Sequence, residues 1–154
     1  MRHLRVLGQI PEVHPVAVPR RTERARELVA AGLTVARDIG QAAEAGAKFC
    51  IVATDTGRHV EDALAALGCG LDVLVEKPLA PDAKQARVLN DRASQASRNL
   101  FVGCAMRFSE SLNQFRNLLT RIGRRHSVRV ECQSYLPYWR PQRPYRDSYS
   151  ARAD

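Results

Sequence analysis

The stretch from Phe49 to Leu79, FCIVATDTGRHVEDALAALGCGLDVLVEKPL, most narrows what this chain can fold into. It opens with a continuous apolar run, Phe49-Cys50-Ile51-Val52-Ala53, the pattern of a strand covered on both faces. A polar turn follows at Thr54-Asp55-Thr56-Gly57. Val60, Ala63, Leu64 and Leu67 then fall on one stripe of a helix from about Arg58 to Leu67, which Gly68 to Gly70 stop. A second apolar run, Val73-Leu74-Val75, breaks off at Glu76-Lys77-Pro78. Strand, crossover helix and strand make a parallel βαβ unit. Ligands of such sheets sit beyond the carboxyl ends of the strands, and Thr54, Thr56 and Glu76-Lys77-Pro78 fall there.

The rest of the chain repeats this alternation. Met1 to Leu7 reads as a short amphipathic helix and His14 to Val18 as a strand. Thr22 is placed to cap a helix to about Ala31, which Gly32 ends. Thr34-Val35 is a short strand, and Asp38 opens a helix over Ile39 to Ala45. Pro81-Asp82 starts a helix to about Ala96 with Ala83, Ala86, Leu89 and Ala93 inward. Leu100 to Cys104 is a strand, and Ser109 caps a helix closed by Gly123. Ser127 to Cys132 alternates apolar and polar, which predicts a strand with one solvated face and the start of a second α+β domain. Ser134 to Asp154 has no periodicity and reads as loop.

An apolar strand ending in a Thr-rich turn, a His shortly after it, and VLVEKPLA resemble the Gfo/Idh/MocA family of NAD(P)-dependent oxidoreductases. Val102-Gly103-Cys104-Ala105-Met106-Arg107-Phe108 is similar to the family's strand before its second domain. Tyr135-Leu136-Pro137-Tyr138-Trp139-Arg140-Pro141 is similar to its Trp-Arg segment. The resemblance implies an incomplete Rossmann-type α/β domain over residues 1–125, a doubly wound parallel sheet without its first strand and Gly-rich loop. Residues 126–154 then begin a substrate and oligomerisation domain. Seen this way, the sequence starts just past the phosphate loop and stops before the family's Asp- and His-bearing helix. A gap, or a replacement pairing, is expected where the central strand belongs.

The same resemblance implies hydride transfer between a nicotinamide and the alcohol or ketone of a sugar or nucleotide sugar. Lys77 would assist the hydroxyl proton, Glu76 would orient it, and Pro78 would fix the backbone. Thr54, Thr56 and His59 would meet the cofactor, while Arg107, Trp139 and Arg140 would line its nicotinamide side. A lone histidine on a helix is more often structural, which is the other reading of His59, and Trp139 reads equally as a loop anchor. Asp55 departs from the family, whose members usually carry Pro there. Arg20 and Arg21 follow the second strand of the family's fold, where arginine meets a 2′-phosphate and selects NADP while an acidic residue selects NAD. Two solvated charges are the alternative reading. The cofactor expected is therefore NADP, or NAD.

Composition bounds the partners. The net charge of +8 raises nucleic acid, but the 24 Lys and Arg are dispersed and the 6% aromatic residues are not interleaved with them. No apolar run is long enough to span a bilayer, and the first residues lack a secretory pattern, so a cytoplasmic setting is expected. Cys50, Cys69, Cys104 and Cys132 have no metal or redox spacing and read as small buried residues. His3, His14 and His126 show no metal-like grouping, and no metal is expected. The partners expected are a sugar-type substrate and further copies of the chain in a homo-oligomer, without nucleic acid or membrane. The rival reading is a catalytically inactive remnant that acts at most as an interaction module.

Overall fold

The computed structural model describes residues 2–138, 141 and 144–147. Helix α1 (Arg2–Leu7) leads to strand β1 (Val16–Ala17), α2 (Thr22–Ala30), β2 (Thr34–Val35) and α3 (Ile39–Glu44). Then come β3 (Phe49–Val52), α4 (His59–Gly68), β4 (Asp72–Glu76), α5 (Ala83–Gln95), β5 (Leu100–Gly103) and α6 (Glu110–Leu118). The chain divides into two compact units, Met1–Ser109 and Glu110–Asp154.

All strand pairing in the first unit is parallel, as crossover helices require. β1 pairs with β2, and β3, β4 and β5 form a second ladder in that order. Val52 stands beside Val75, and Glu76 beside Gly103. The fold is Rossmann-type, and among the described residues its strands fall into two ladders with no pairing between β1 and β3.

The core lies on one face of the three-stranded ladder. Val52, Val73 and Val75 alternate inward and pack with Ala63, Ala66 and Leu67 of α4, Leu71, and Leu89 and Ala93 of α5. Each fully buried Val or Leu contributes about 1.5–3 kcal/mol relative to exposure. On the opposite face Phe49 and Phe101 remain half exposed, with ring centroids 6.5 Å apart.

Local signals explain most boundaries. Asp38 and Asp82 each occupy an N-cap and accept from the backbone N–H three residues on, Gln41 and Gln85, at 2.8 Å. Gly32, Gly46 and Gly70 end α2, α3 and α4 with positive φ.

Four expectations need correction. Thr22 is the first residue of α2 and Arg21 stands at its N-cap, without a side-chain cap bond. The strand expected over 14–18 shrinks to two residues, because β2 offers only two to pair with. Ala83, the first residue of α5, is exposed, and Leu89 and Ala93 carry the contact. Residues 127–132 form no strand: among the described residues nothing pairs with them, and Val128 and Val130 are exposed. A lone extended segment leaves its backbone to water, so alternation alone does not hold it as a strand.

The cysteines also differ from expectation. Cys69, Cys104 and Cys132 are exposed, and Cys50 in β3 is partly covered. Burial, with the Asp62 charge next, pushes the Cys50 thiol up to about 11.

Candidate functional site at the carboxyl edge of the sheet

Because the strands run parallel, the residues that follow them collect at one edge. Arg20 and Arg21 follow β1, Thr54 and Thr56 follow β3, Lys77 and Pro78 follow β4, and Arg107 follows β5. Arg20, Arg21, Lys77 and Arg107 are exposed there, while Thr54 and Thr56 are half-buried.

The Glu76-Lys77-Pro78 corner is held from several sides. His3 of α1 donates from Nε2 to Glu76 Oε1 at 3.0 Å, and the Lys77 N–H donates to Glu76 Oε2 at 3.3 Å. Gly103 lies against Glu76: a Cβ there would stand 3.1 Å from Oε2 and 3.3 Å from Cα. Any side chain at this position would have to push Glu76 aside by a few tenths of an ångström. The Lys77–Pro78 peptide bond is cis.

His59 braces the corner from beneath. It is 2% exposed at the start of α4. Nδ1 lies 2.7 Å from the Pro78 carbonyl oxygen and Nε2 lies 3.0 Å from that of Thr54. Carbonyls only accept, so serving both takes a proton on each ring nitrogen, whereas one N–H serves one. Either way, both nitrogens point at backbone within the fold. His59 therefore ties the turn after β3 to the turn after β4.

Thr54 has a similar inward role. Its hydroxyl donates to Asp62 Oδ2 at 2.8 Å, so its Oγ1 proton is engaged within the fold. Asp62 is 7% exposed, and Arg58 Nη2 donates to its Oδ1 at 3.1 Å. The Asp62 hydrogen bond is the main reason the Arg58 guanidinium is held above its ordinary range. Arg20 Nη1 lies 3.9 Å from the same Oδ1, which links the end of β1 to α4. No ion pair of Lys77 is seen among the described residues. Trp139 and Arg140 lie outside the described residues.

The structure thus joins Thr54, His59, Glu76, Lys77 and Pro78 into one braced corner, with Arg20 reaching it through Asp62. It brings Arg21 to no side-chain partner among the described residues. His3, Arg58, Asp62 and Gly103 were not singled out by sequence reasoning. An Asp four residues after an Arg, within one predicted helix, was the signal for Asp62 and Arg58. His3 and Gly103 act on Glu76 across 73 and 27 residues of chain, and no local pattern carries that. Groups of three or more His, Cys, Asp or Glu able to hold a metal are absent among the described residues.

An edge of this kind on a parallel, doubly wound sheet defines a Rossmann-type dinucleotide-binding domain. Residues 2–104 match the family model GFO/IDH/MocA, described as an oxidoreductase family with NAD-binding Rossmann fold. The chain belongs to that family, as its motifs implied. It is similar to an inositol 2-dehydrogenase from Streptomyces avermitilis, at 34% identity over 131 residues, which covers 79% of this chain and 38% of the relative. It is also similar to a myo-inositol dehydrogenase from Streptomyces leeuwenhoekii, at 29% identity, covering 88% of this chain and 42% of the relative. The chain therefore spans about two fifths of these relatives.

Among solved structures, the WlbA dehydrogenase from Bordetella pertussis in complex with NADH and UDP-GlcNAcA shares the fold. Its TM-score is 0.69 at 20% identity, over 77% of this chain and 36% of that one. Biliverdin reductase from Synechocystis with biliverdin and NADP+ does likewise, with TM-score 0.67 at 20% identity over 80% and 40%. No helix among the described residues is long and apolar enough to cross a membrane.

Proposed function

We propose that this chain provides the nucleotide side of an NAD(P)-dependent dehydrogenase acting on a sugar-type or cyclitol alcohol. The observation that carries the reading is the braced Glu76-Lys77-Pro78 corner, which sets an exposed lysine at the carboxyl edge between His3, His59 and Gly103. The residues fit a dinucleotide. Arg20, Arg21, Arg58 and Arg107 offer cations at or beside that edge, and Arg58 Nε is buried without an acceptor among the described residues. A bound nicotinamide would supply the hydride acceptor.

The residues' share of the chemistry is positional and protonic. Glu76 fixes the backbone N–H of Lys77, and His59 fixes the carbonyl of Pro78, so Lys77 starts from a set point. Lys77 Nζ, as the neutral amine, takes the alcohol proton during oxidation and returns it during reduction. Arg20 and Arg21 favour NADP by receiving its 2′-phosphate. The inositol dehydrogenases support a polyol substrate; a nucleotide sugar is the alternative within the same chemistry. Further copies of the chain are the protein partners in this reading.

Titration of the purified chain with NADPH and NADH, followed by cofactor fluorescence, tests the reading, with micromolar binding expected. Where turnover of a polyol is measurable, Lys77→Ala should lower kcat about a hundredfold and leave nucleotide affinity near unchanged. Near-normal turnover would remove Lys77 from the mechanism. Changing both Arg20 and Arg21 to Ala should shift the NADP to NAD efficiency ratio by about tenfold or more.

A second reading, an inactive remnant, is favoured by the split of the strands into two ladders that do not pair with each other among the described residues. Pyrophosphate sites of this fold use a Gly-rich turn after the central strand. Absence of both nucleotide binding and turnover selects this second reading.

A further inference from the structure

We propose that Asp62 controls how tightly this edge holds a phosphate, by bonding one guanidinium, Arg58, and attracting a second, Arg20, that otherwise receive it. Asp62 is nearly buried on α4, where a carboxylate is stable only when paired. Its partners come from three places. Thr54 Oγ1 follows β3, Arg58 opens α4, and Arg20 follows β1.

The two guanidiniums are held unequally. Arg58 shares Nη2 between Asp62 Oδ1 at 3.1 Å and the exposed Glu61 Oε1 at 2.9 Å, and its buried Nε finds no acceptor among the described residues. Arg20 stays 3.9 Å from Asp62, beyond hydrogen-bond reach, with 56% of its side chain exposed. Arg20 is thus attracted but not bonded, and Arg58 keeps donor capacity unspent.

A phosphate between these arginines gains charge-assisted, fork-shaped hydrogen bonds. It also meets the negative Asp62, which opposes it and competes for the same donors. Asp62 is therefore the specificity-determining residue, and removing its charge should tighten phosphate binding. The ligand class is a phosphate monoester, met either as free phosphate or as the 2′-phosphate of an adenine nucleotide. The nucleotide source rests on the function proposed above; the anion site does not.

Calorimetric titration with inorganic phosphate, AMP and adenosine 2′,5′-bisphosphate tests this. Asp62→Asn keeps the side chain's shape and an acceptor for the Thr54 hydroxyl. It should bind inorganic phosphate about tenfold tighter, the low end of a charge-assisted hydrogen bond. Adding Arg20→Gln should return that gain. In the unmodified background, Arg20→Gln and Arg58→Gln should each weaken adenosine 2′,5′-bisphosphate about fivefold or more, and AMP, with its single 5′-phosphate monoester, by a smaller factor.

Unchanged phosphate affinity in Asp62→Asn overturns the proposal. So does indifference of adenosine 2′,5′-bisphosphate to Arg58→Gln, which decides the matter if Asp62→Asn does not fold. If phosphate responds as stated but neither NADPH nor NADH binds, the dehydrogenase reading fails and the anion site stands. If both nucleotides bind and Asp62→Asn changes nothing, the reverse holds.

Discussion

Residues 16–47 and residues 49–103 are built from the same alternation of strand and helix, yet they bury very different amounts. The first segment pairs two strands of two residues each, and its buried apolar side chains are Ala17, Leu28, Ala36 and Ala42. The second pairs strands of four and five residues and encloses Val52, Leu67, Leu71, Val73, Val75 and Leu89. The helices differ less, at nine and six residues against ten and thirteen. Ladder length makes the difference: a strand of four or five residues sends two or more side chains to one face, enough for a helix to pack on. A two-residue strand sends one. Chain that bonds to both edges of a ladder also excludes water from both, and neither β1 nor β3 has a second neighbour among the described residues.

The sharpest way to break this contrast is to remove one leucine from each side. Leu89 is 0% exposed within the large cluster, and Leu28 is 4% exposed in the small one. Leu89→Ala should cost about 2–5 kcal/mol, as in cores that collapse poorly around a cavity. Leu28→Ala should cost less, because its sparser surroundings can close in. Urea denaturation measures both; equal losses would show that the two segments share one core.

A medium effect is expected at His59, which belongs to the large segment but serves the edge. His59→Ala removes the ring N–H that serves the Thr54 or Pro78 carbonyl, at about 1–3 kcal/mol for a buried group left unpaired. Amide hydrogen exchange should rise at residues 54–58 and 77–80 and stay near unchanged in α2. Exchange that rises everywhere alike would make His59 a general core residue and not a brace of these turns.

What the sequence makes readable follows the same contrast. The βαβ unit was clear because Phe49 to Ala53 and Val73 to Val75 are continuous apolar runs and the intervening helix carries an apolar stripe. Asp38 and Asp82 were readable because a cap acts within three residues. Residues 127–132 misled because alternation describes a strand's faces and says nothing of whether a neighbour exists. At the site, the exposed Lys77 corner was readable as a motif. Its support was not, because His3, His59 and Gly103 reach it through the fold, and a buried His looks the same in sequence as a ligand-facing one. Arg20 was placed by its position after β1, but its attraction to Asp62 spans 42 residues and two separate ladders.

Acid should separate the two segments by the smallest margin, through exposed carboxylates. Asp38 caps α3 in the first segment, Asp82 caps α5 in the second, and Asp72 accepts from the Asn99 backbone N–H at 2.8 Å and joins β4 to the start of β5. In each, a backbone N–H donated to the carboxylate is the main reason its pKa lies below the ordinary value of 3.8. A depressed pKa in the folded state means that the folded chain holds the proton more weakly than the unfolded chain. The contribution is therefore fully present above about pH 4–5, where both states are ionised, and is lost as pH falls through the folded value. Asn caps a helix as well as Asp does, with no charge to titrate. Asp72→Asn together with Asp82→Asn should flatten the acid limb of stability more than Asp38→Asn alone, with little change at neutral pH. Thermal denaturation between pH 2 and pH 7 reads the three slopes. An Asp38→Asn chain whose acid limb flattens most would show that the small segment, and not the large one, opens first in acid.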